Sequence, residues 1–370
     1  MSKYSAVILG DSFNNTLGLI RSLGEACIPQ TLVLAGETDR LHVSQSRYLV
    51  KKKVFRVDDV SECVPILKQI ADGTHRQVIL CTNDRAATFV DENEEDLCAD
   101  FVTPMAGKHL GEYMNKMRQC ELARECGFDV PVSVIYHKGN SFPTDISYPL
   151  LLKPLVSISG EKSDIHICKS REDVEAGLNA ASHCSDFIVQ EYVEKEYEIN
   201  MLGISTDWGV FIPGGIKKIR HYPTIYSPCS FGEYLPITDF SFDIAVVQRF
   251  MDRVGYRGLF SVELLHKGNK NYFMEVNFRN DGLAYTATAA GINLPAIYMQ
   301  FNGIPEDIKV RKTYMMDLSI DFCHVKDGNI SFGKWFSDFC KTGCQLNFNR
   351  KDVAPTVNYY IDKLKHFIGR

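Results

Sequence analysis

No apolar stretch of this chain approaches the ~20 residues that a membrane-spanning helix needs, so the sequence offers nothing to place in a bilayer. Long basic blocks are missing too. Lys51-Lys-Lys53 is too short to track a phosphate backbone, and Lys+Arg 41 against Asp+Glu 46 leaves a net charge of −5. Neither a membrane nor a nucleic acid is an expected partner. The chain has 12 cysteines but no paired CxxC arrangement, Cys340 and Cys344 being the closest two. Cys27, Cys81, Cys120, Cys126 and Cys168 sit in apolar segments, as free thiols do in a reducing compartment. The 10 histidines include no HExxH spacing, and Gly10, Gly18 and Gly24 do not fit GxGxxG. No internal repeat or low-complexity tract is present. Met1 to Ser5 runs directly into a strand-like segment, and a cytoplasmic protein is expected.

What is there describes an ordinary globular chain: 45% hydrophobic and 24% charged residues over 370 positions, enough for two or three domains. Residues 5 to 9 read as a buried strand, Thr16 to Ala26 as a helix and Gln30 to Leu34 as the next strand, a βαβ unit that implies a parallel sheet. Ser61 reads as the N-cap of a helix to Asp72, and Val78 to Cys81 as another buried strand. A helix from Asn115 to Cys126 stops at Gly127 with Pro131 beyond it. Tyr148 to Pro154 reads as a strand carrying Lys153, followed by the polar loop Ser157 to Ser163 and a strand from Asp164 to Cys168. Ser170, with Asp173 three positions on, caps a helix reaching Cys184. Phe187 to Val193 and Glu196 to Gly203 read as two strands joined by an acidic turn. A helix from Phe242 to Val254 and a final amphipathic helix from Thr356 to Ile368 complete the pattern; Val310 to Arg370 carries no chemistry that the sequence identifies.

The densest chemistry lies in Tyr272-Phe-Met-Glu-Val-Asn-Phe-Arg-Asn-Asp-Gly282. Successive strand residues point to opposite faces, so Glu275, Asn277 and Arg279 project together. Glu263 lies in the apolar run Gly258 to Leu265, and the linker His266 to Asn269 is short enough for a hairpin that sets both strands side by side. Two carboxylates and an amide oxygen are the hard ligands that Mg²⁺ takes while carrying nucleotide phosphates. Alternation alone fits a half-buried strand with a solvated face equally well; the residues upstream make the difference.

Taken in order, the segments of residues 1 to 308 resemble the ATP-grasp superfamily, in its branch of carboxylate-amine ligases and carbamoyl-phosphate-synthetase-like proteins. Lys116 with Gly127 and Pro131 resembles that family's lysine, helix, glycine and proline signature, and Lys153 in Leu-Leu-Leu-Lys-Pro resembles its second nucleotide lysine. Gly160-Glu-Lys-Ser163 is similar to the loop that closes over phosphates, with Gly160 and Lys162 at the nucleotide. Gln190-Glu-Tyr-Val193 resembles the segment whose backbone reads adenine, through Glu191, Tyr192 and Val193. Glu198 matches the acid used on the ribose hydroxyls. By the same resemblance Glu263, Glu275 and Asn277 hold one or two Mg²⁺ ions, with Mn²⁺ as a substitute, and Arg279 stabilises the transferring phosphoryl group. The family's Asn-Pro-Arg is Asn277-Phe278-Arg279 here, a departure that falls on the opposite face. Gly214 to Pro223 resembles a segment of D-aspartate-ligase-like members, in which Lys218 and Arg220 alternate onto one face and meet a carboxylate or acyl phosphate. Asp352 to Pro355 echoes that branch's Asp-x-x-Pro near the end of the chain.

The resemblance implies an α/β architecture: a Rossmann-like pre-ATP-grasp domain over 1–112, an ATP-grasp fold of two α+β subdomains over 113–308 with ATP in the cleft between them and 133–194 as a mobile lid, and a small C-terminal extension over 309–370. It implies an ATP-dependent ligase that joins a carboxylate to an amine, forming an amide or peptide bond through an acyl phosphate and releasing ADP and phosphate. No protein nucleophile is required, in keeping with the absence of a Ser/His/Asp or Cys/His arrangement. Three rivals stand beside it: a carbamoyl-phosphate-type or carboxylation reaction, a catalytically silent ATP-binding module, and a dehydrogenase. The small-molecule substrates are not fixed by the sequence, and a homodimer is left open.

Overall fold

The computed structural model describes residues 4–36, 42–104, 106–107, 109–155, 165–225, 227–300, 303 and 308–368. Among them the strands fall into three sheets in chain order. The first is built from β1 (Ala6–Gly10), β2 (Gln30–Ala35), β3 (Val54–Val57), β4 (Gln77–Cys81) and β5 (Phe101–Val102), in the order β3-β2-β1-β4-β5. All four of its pairings are parallel, as the apolar runs without alternation require of strands covered on both faces. The strand order reverses between β1 and β4, which opens a crevice beyond their carboxyl ends. Gly10 ends β1 there, and its missing side chain has a packing cause: a Cβ would lie 1.7 Å from Thr82 Oγ1. Thr82 and Thr16 share a hydroxyl hydrogen bond of 2.6 Å at that point, so the glycine serves strand packing.

Local corrections to the expected elements have simple causes. The first helix, Asn14–Glu25, begins two residues early. The helix expected from Ser61 is split into a 3-10 turn, Val60–Glu62, and a helix, Cys63–Ile70, because Asp59 rather than Ser61 supplies the cap: its side chain accepts from Ser61 N–H.

A four-stranded antiparallel sheet follows, with β6 (Ser133–His137), β7 (Leu150–Pro154), β8 (His166–Cys168) and β9 (Asp186–Glu191) in the order β6-β9-β7-β8. The helix Arg171–Ala180 closes one face over a small core of its own that includes Leu150, Leu152, Val174 and Phe187. Ser170 and Asp173 make its capping box. The helix stops four residues before Cys184, since Cys184 N–H already turns back to Ala181 C=O to lead into β9.

The third sheet has seven strands: β10 (Tyr197–Thr206), β11 (Gly209–His221), β12 (Cys229–Pro236), β13 (Gly258–Lys267), β14 (Lys270–Asn277), β15 (Thr313–Met316) and β16 (Thr342–Gln345), ordered β14-β13-β10-β11-β12-β15-β16. The two strands expected on either side of the acidic turn therefore lie in different sheets, and residues 192–196 form the joint between them. The helix Lys116–Cys126 is tied to β14 by Gln119, whose amide donates to Val276 C=O at 3.1 Å and accepts from Val276 N–H at 2.7 Å. It ends at Gly127, whose φ of 94° is the left-handed cap that glycine adopts without strain.

The C-terminal region is part of this body. β15 and β16 extend the seven-stranded sheet, and Arg21 on the first helix donates to Asp352 at 3.1 Å with both side chains fully buried. Among the described residues no helix is long and apolar enough to cross a membrane.

Candidate active site

The β13–β14 hairpin sets Glu263 directly opposite Glu275 and Ser261 opposite Asn277. The turn between the strands is two residues, Gly268 and Asn269, and Gly268 has a φ of 61°. Beyond the strand end the alternation continues: Arg279 Nη2 donates to Asn277 Oδ1 at 2.9 Å. Phe278 faces the other way and is fully buried against Tyr256 and Phe250. Two carboxylates, an amide and a guanidinium are thus held together by strand alternation along β14 and by a register shift between Glu263 and Leu264 that brings Glu263 opposite Glu275.

Each acid has its own lysine. Lys116, the first residue of its helix, lies with Nζ 2.9 Å from Glu275 Oε2. Burial would raise the Glu275 carboxyl, but Lys116 outweighs it and, with Arg279, brings it below the usual range. On the other acid, Lys218 Nζ donates to Glu263 Oε2 at 2.6 Å and to Glu198 Oε2 at 3.1 Å. Burial alone would lower the Lys218 ammonium; Glu263 and Glu198 raise it instead. Glu263 stays above the usual carboxylate range because burial, with Glu275 and Asp281 close by, exceeds the pull of Lys218. Glu198 also accepts from Lys195 and faces His221 Nε2 at 3.8 Å.

A third lysine comes from the four-stranded sheet. Lys153 on β7 donates to Gln190 Oε1 at 3.1 Å, and Gln190 is in turn fixed by donating to Ser133 Oγ at 2.7 Å. Burial pushes the Lys153 ammonium down to about 8, with the neighbouring charge of Lys116 acting in the same direction. Two like charges, one from the start of a helix and one from a strand, converge at one place, an arrangement that a polyanion such as a phosphate chain would relieve.

The sequence passed over the network behind this face. Asp281 accepts from Asn200 Nδ2 at 3.0 Å, Ser261 Oγ at 3.1 Å and Leu283 N–H at 2.8 Å, and Arg279 Nη1 lies 3.4 Å from it. The alternation of Asn277 and Arg279, carried one step further, reaches Asp281; the same period carried from Glu198 reaches Asn200. Arg279 Nε also donates to Asp84 at 3.1 Å, just past the end of β4, so the site borders the crevice of the parallel sheet.

Arg220 is placed apart from Lys218. Its Nε and Nη2 donate to Asp321 at 3.1 and 2.8 Å, and its Nη1 to Asp338 at 2.7 Å. The shared face expected of Lys218 and Arg220 is undone by a register shift between them, where Lys218 pairs with Gly232 but Arg220 with Phe231. Glu191, Tyr192 and Val193 lie at the end of β9 and in the joint leading to β10, with Glu191 N–H donating to Val132 C=O and Tyr192 N–H to Pro149 C=O. Gly160 and Lys162 lie outside the described residues.

Among the described residues no group of three or more His, Cys, Asp or Glu side chains is arranged to hold a metal ion. The donor set at the hairpin is smaller: two carboxylates and the Asn277 amide. That set fits Mg²⁺, which keeps several waters and takes one or two carboxylates together with phosphate oxygens. An apolar cleft of about 480 Å³ lies beside β8, lined by residues including Ile165, His166, Ile167 and Ile225.

No family model matches the chain. A stretch of 141 residues is 31% identical to the formate-dependent phosphoribosylglycinamide formyltransferase of a Nitratiruptor species, covering 36% of this chain and 35% of that protein. The chain thus spans about a third of that relative's length. The N5-carboxyaminoimidazole synthetase of Staphylococcus aureus, complexed with ADP, matches with a TM-score of 0.65 at 13% identity, over 89% of this chain and 86% of that one. The L-amino acid ligase of Bacillus licheniformis matches with a TM-score of 0.58 at 14% identity, over 81% and 74%. At these identities the structural likeness is one of fold.

Proposed function

From the premise that this chain has the ATP-grasp fold, we propose that it is an ATP-dependent ligase that activates a carboxylate as an acyl phosphate and passes the acyl group to an amine. The observation that carries the reading is the opposition of Glu263 and Glu275, with Asn277 and Arg279 on the same face. Lys116 and Lys153 converging beside them supply the cationic half of a phosphate site. The curated relatives are named for a formate-dependent formyl transfer, and formate is itself a carboxylate.

In this reading Lys116 and Lys153 meet the nucleotide phosphates, Glu198 the ribose hydroxyls, and the joint at Glu191 to Val193 the adenine. Glu263, Glu275 and Asn277 would hold one or two Mg²⁺ ions, which when bound draw negative charge from the phosphates. A carboxylate oxygen attacks the γ-phosphorus, the bond to the β-phosphate oxygen breaks, and ADP leaves. The amine nitrogen then attacks the acyl carbon, phosphate leaves with the acyl oxygen, and the nitrogen gives up a proton. Arg279, kept in place by Asn277, Asp84 and Asp281, stabilises the charge that builds on the transferring group; preorganised donors of this kind cost no reorganisation at the moment of reaction. Lys218 stands next to Glu263 and would meet the substrate carboxylate or the acyl phosphate.

The test is ADP and phosphate release from Mg-ATP across a matrix of carboxylates and amines, with and without bicarbonate, and with Glu275→Gln as the blank. Turnover that requires one acid together with one amine supports the ligase. Turnover that follows bicarbonate alone, or nucleotide binding without turnover on any pair, replaces it with a carboxylating enzyme or a silent module.

A further inference from the structure

Lys218 occupies a position that a substrate-binding lysine does not need. Its ammonium is nearly buried, with 8% of the side chain exposed, and it bridges two acids on different strands, Glu198 on β10 and Glu263 on β13. Glu198 stands directly opposite Lys218 across β10–β11, whereas Glu263 is reached diagonally, past the intervening strand. The contact with Glu263 is the shorter of the two, 2.6 Å against 3.1 Å. Glu263 is also the acid that most needs a cation, since it faces Glu275 across the hairpin and Asp281 lies behind it.

We infer that Lys218 is the resident counter-ion of Glu263 in the nucleotide-free protein, and that it must release this carboxylate before a divalent ion can bind there. The inference rests on the proposed assignment of Glu263 and Glu275 as metal ligands. A divalent ion on Glu263 meets the Lys218 charge within a few ångströms, in surroundings that leave little water to screen the repulsion. Glu198 gives the ammonium a second carboxylate to stay with when Glu263 lets go. The exchange is reciprocal: whatever Lys218 gains from Glu263, a metal ion binding alone loses. The nucleotide removes that penalty, because its phosphates bring negative charge to Lys116 and Lys153 and supply metal ligands at once. Metal therefore enters with nucleotide rather than ahead of it, and the Lys218 ammonium is freed towards the anionic substrate only in the loaded site.

The experiment is Mn²⁺ binding to the nucleotide-free full chain, followed by the electron paramagnetic resonance signal of free Mn²⁺. Lys218→Met is expected to bind Mn²⁺ at least ~10-fold more tightly than the unaltered chain, the scale of removing a like charge a few ångströms from the ion. Lys218→Arg, which keeps the charge, is expected to bind as weakly as the unaltered chain. Equal or weaker binding by Lys218→Met overturns the inference. If Lys218→Met does not fold, the ¹⁵Nζ resonance of Lys218 in the ¹⁵N-lysine-labelled chain decides it: it is expected to keep its position with Mg²⁺ alone and to shift with Mg-ADP, as the bond to Glu263 is lost and that to Glu198 kept. An unchanged resonance in the presence of Mg-ADP overturns the inference. Failure of the underlying reading is separately visible, because Mn-ADP binding that survives Glu275→Gln removes the metal site itself whatever Lys218 does.

Discussion

Arg220 is gripped by Asp321 along one edge of its guanidinium, Nε at 3.1 Å and Nη2 at 2.8 Å, and by Asp338 at 2.7 Å from Nη1. Asp321 is fully buried, so a chain segment about a hundred residues downstream fixes the orientation of a residue next to the site. Taking away the Asp321 carboxylate leaves a mostly buried cation with a single strong partner. Breaking such a pair costs about 3–5 kcal/mol. Asp321→Ala is expected to lower the stability in urea by that order, and a loss below ~1 kcal/mol would mean that the guanidinium re-pairs with water or Asp338 at little cost.

Arg220→Ala removes the same staple from the other side and leaves Asp321 and Asp338 with Lys334 as the remaining cation on Asp338. Two buried carboxylates then lie close with one charge between them, and a comparable loss of stability is expected. In steady-state assays the variant is expected to raise the apparent requirement for the acid substrate more than that for ATP, since the lever acts through β11 next to Lys218. The opposite ratio would move Arg220 to the nucleotide side.

Glu275→Gln keeps the shape of the side chain and removes its charge. Lys116 then loses the carboxylate 2.9 Å away, and the hairpin loses one of its two acids. Turnover is expected to fall by ~100-fold or more, the scale on which electrostatic stabilisers of a transition state act. Circular dichroism is expected to be unchanged, because the strand register is set by the backbone and by Phe278 on the other face. Wild-type turnover in this variant would remove the pair of acids from the chemistry.

How much of this was legible in the sequence depends on the range of the interaction. Period-2 alternation is a property of the strand itself, so Glu275, Asn277 and Arg279 were legible together, but the opposition with Glu263 was not: the two-residue turn alone would set Glu263 against Met274, and a register shift between Glu263 and Leu264 brings Glu275 there instead. The same period failed at Lys218 and Arg220 because a register shift lies between them, and no propensity marks it. The two strands flanking 192–196 were legible as strands, but their membership of separate sheets was not, since sheet partners are chosen by distant segments. The acids that hold Arg220 lie in a region whose local pattern has no chemical signature. Helix starts were displaced where a neighbouring acid, Asp59, offered the better cap.

Arg21 and Asp352 form a second long-range pair, at 3.1 Å with both side chains fully buried. Arg21 also donates to Leu346 C=O at 2.8 Å, while Asp352 accepts from Ser46 Oγ at 3.0 Å and Arg47 N–H at 2.8 Å. The pair ties the end of the chain to the first helix. Asp352→Ala is expected to cost about 3–5 kcal/mol. Arg21→Met with Asp352→Leu is expected to recover much of that loss, because it removes the buried charges rather than orphaning one. A double variant no better than Asp352→Ala would assign the stability to the surrounding hydrogen bonds instead.

Lys153 makes the site sensitive to pH in a direction that can be worked out. Its ammonium sits at about 8, below the ordinary lysine value of 10.5, chiefly because burial disfavours the charge and secondarily because Lys116 is close. Below pH 8 the residue is charged in both folded and unfolded chains, and its full destabilising effect is present. Between 8 and 10.5 the unfolded chain holds the proton and the folded one does not, so this residue's contribution to stability rises with pH across that window. Nucleotide affinity runs the other way. Phosphate oxygens favour the ammonium form, so binding takes up a proton above pH 8, and affinity for ATP is expected to fall by up to ~10-fold per pH unit beyond it. Lys153→Met is expected to bind ATP weakly and without this slope, as measured by calorimetry in buffers of different ionisation heat. A slope that persists in Lys153→Met would assign the proton to another group and leave Lys153 outside the phosphate site.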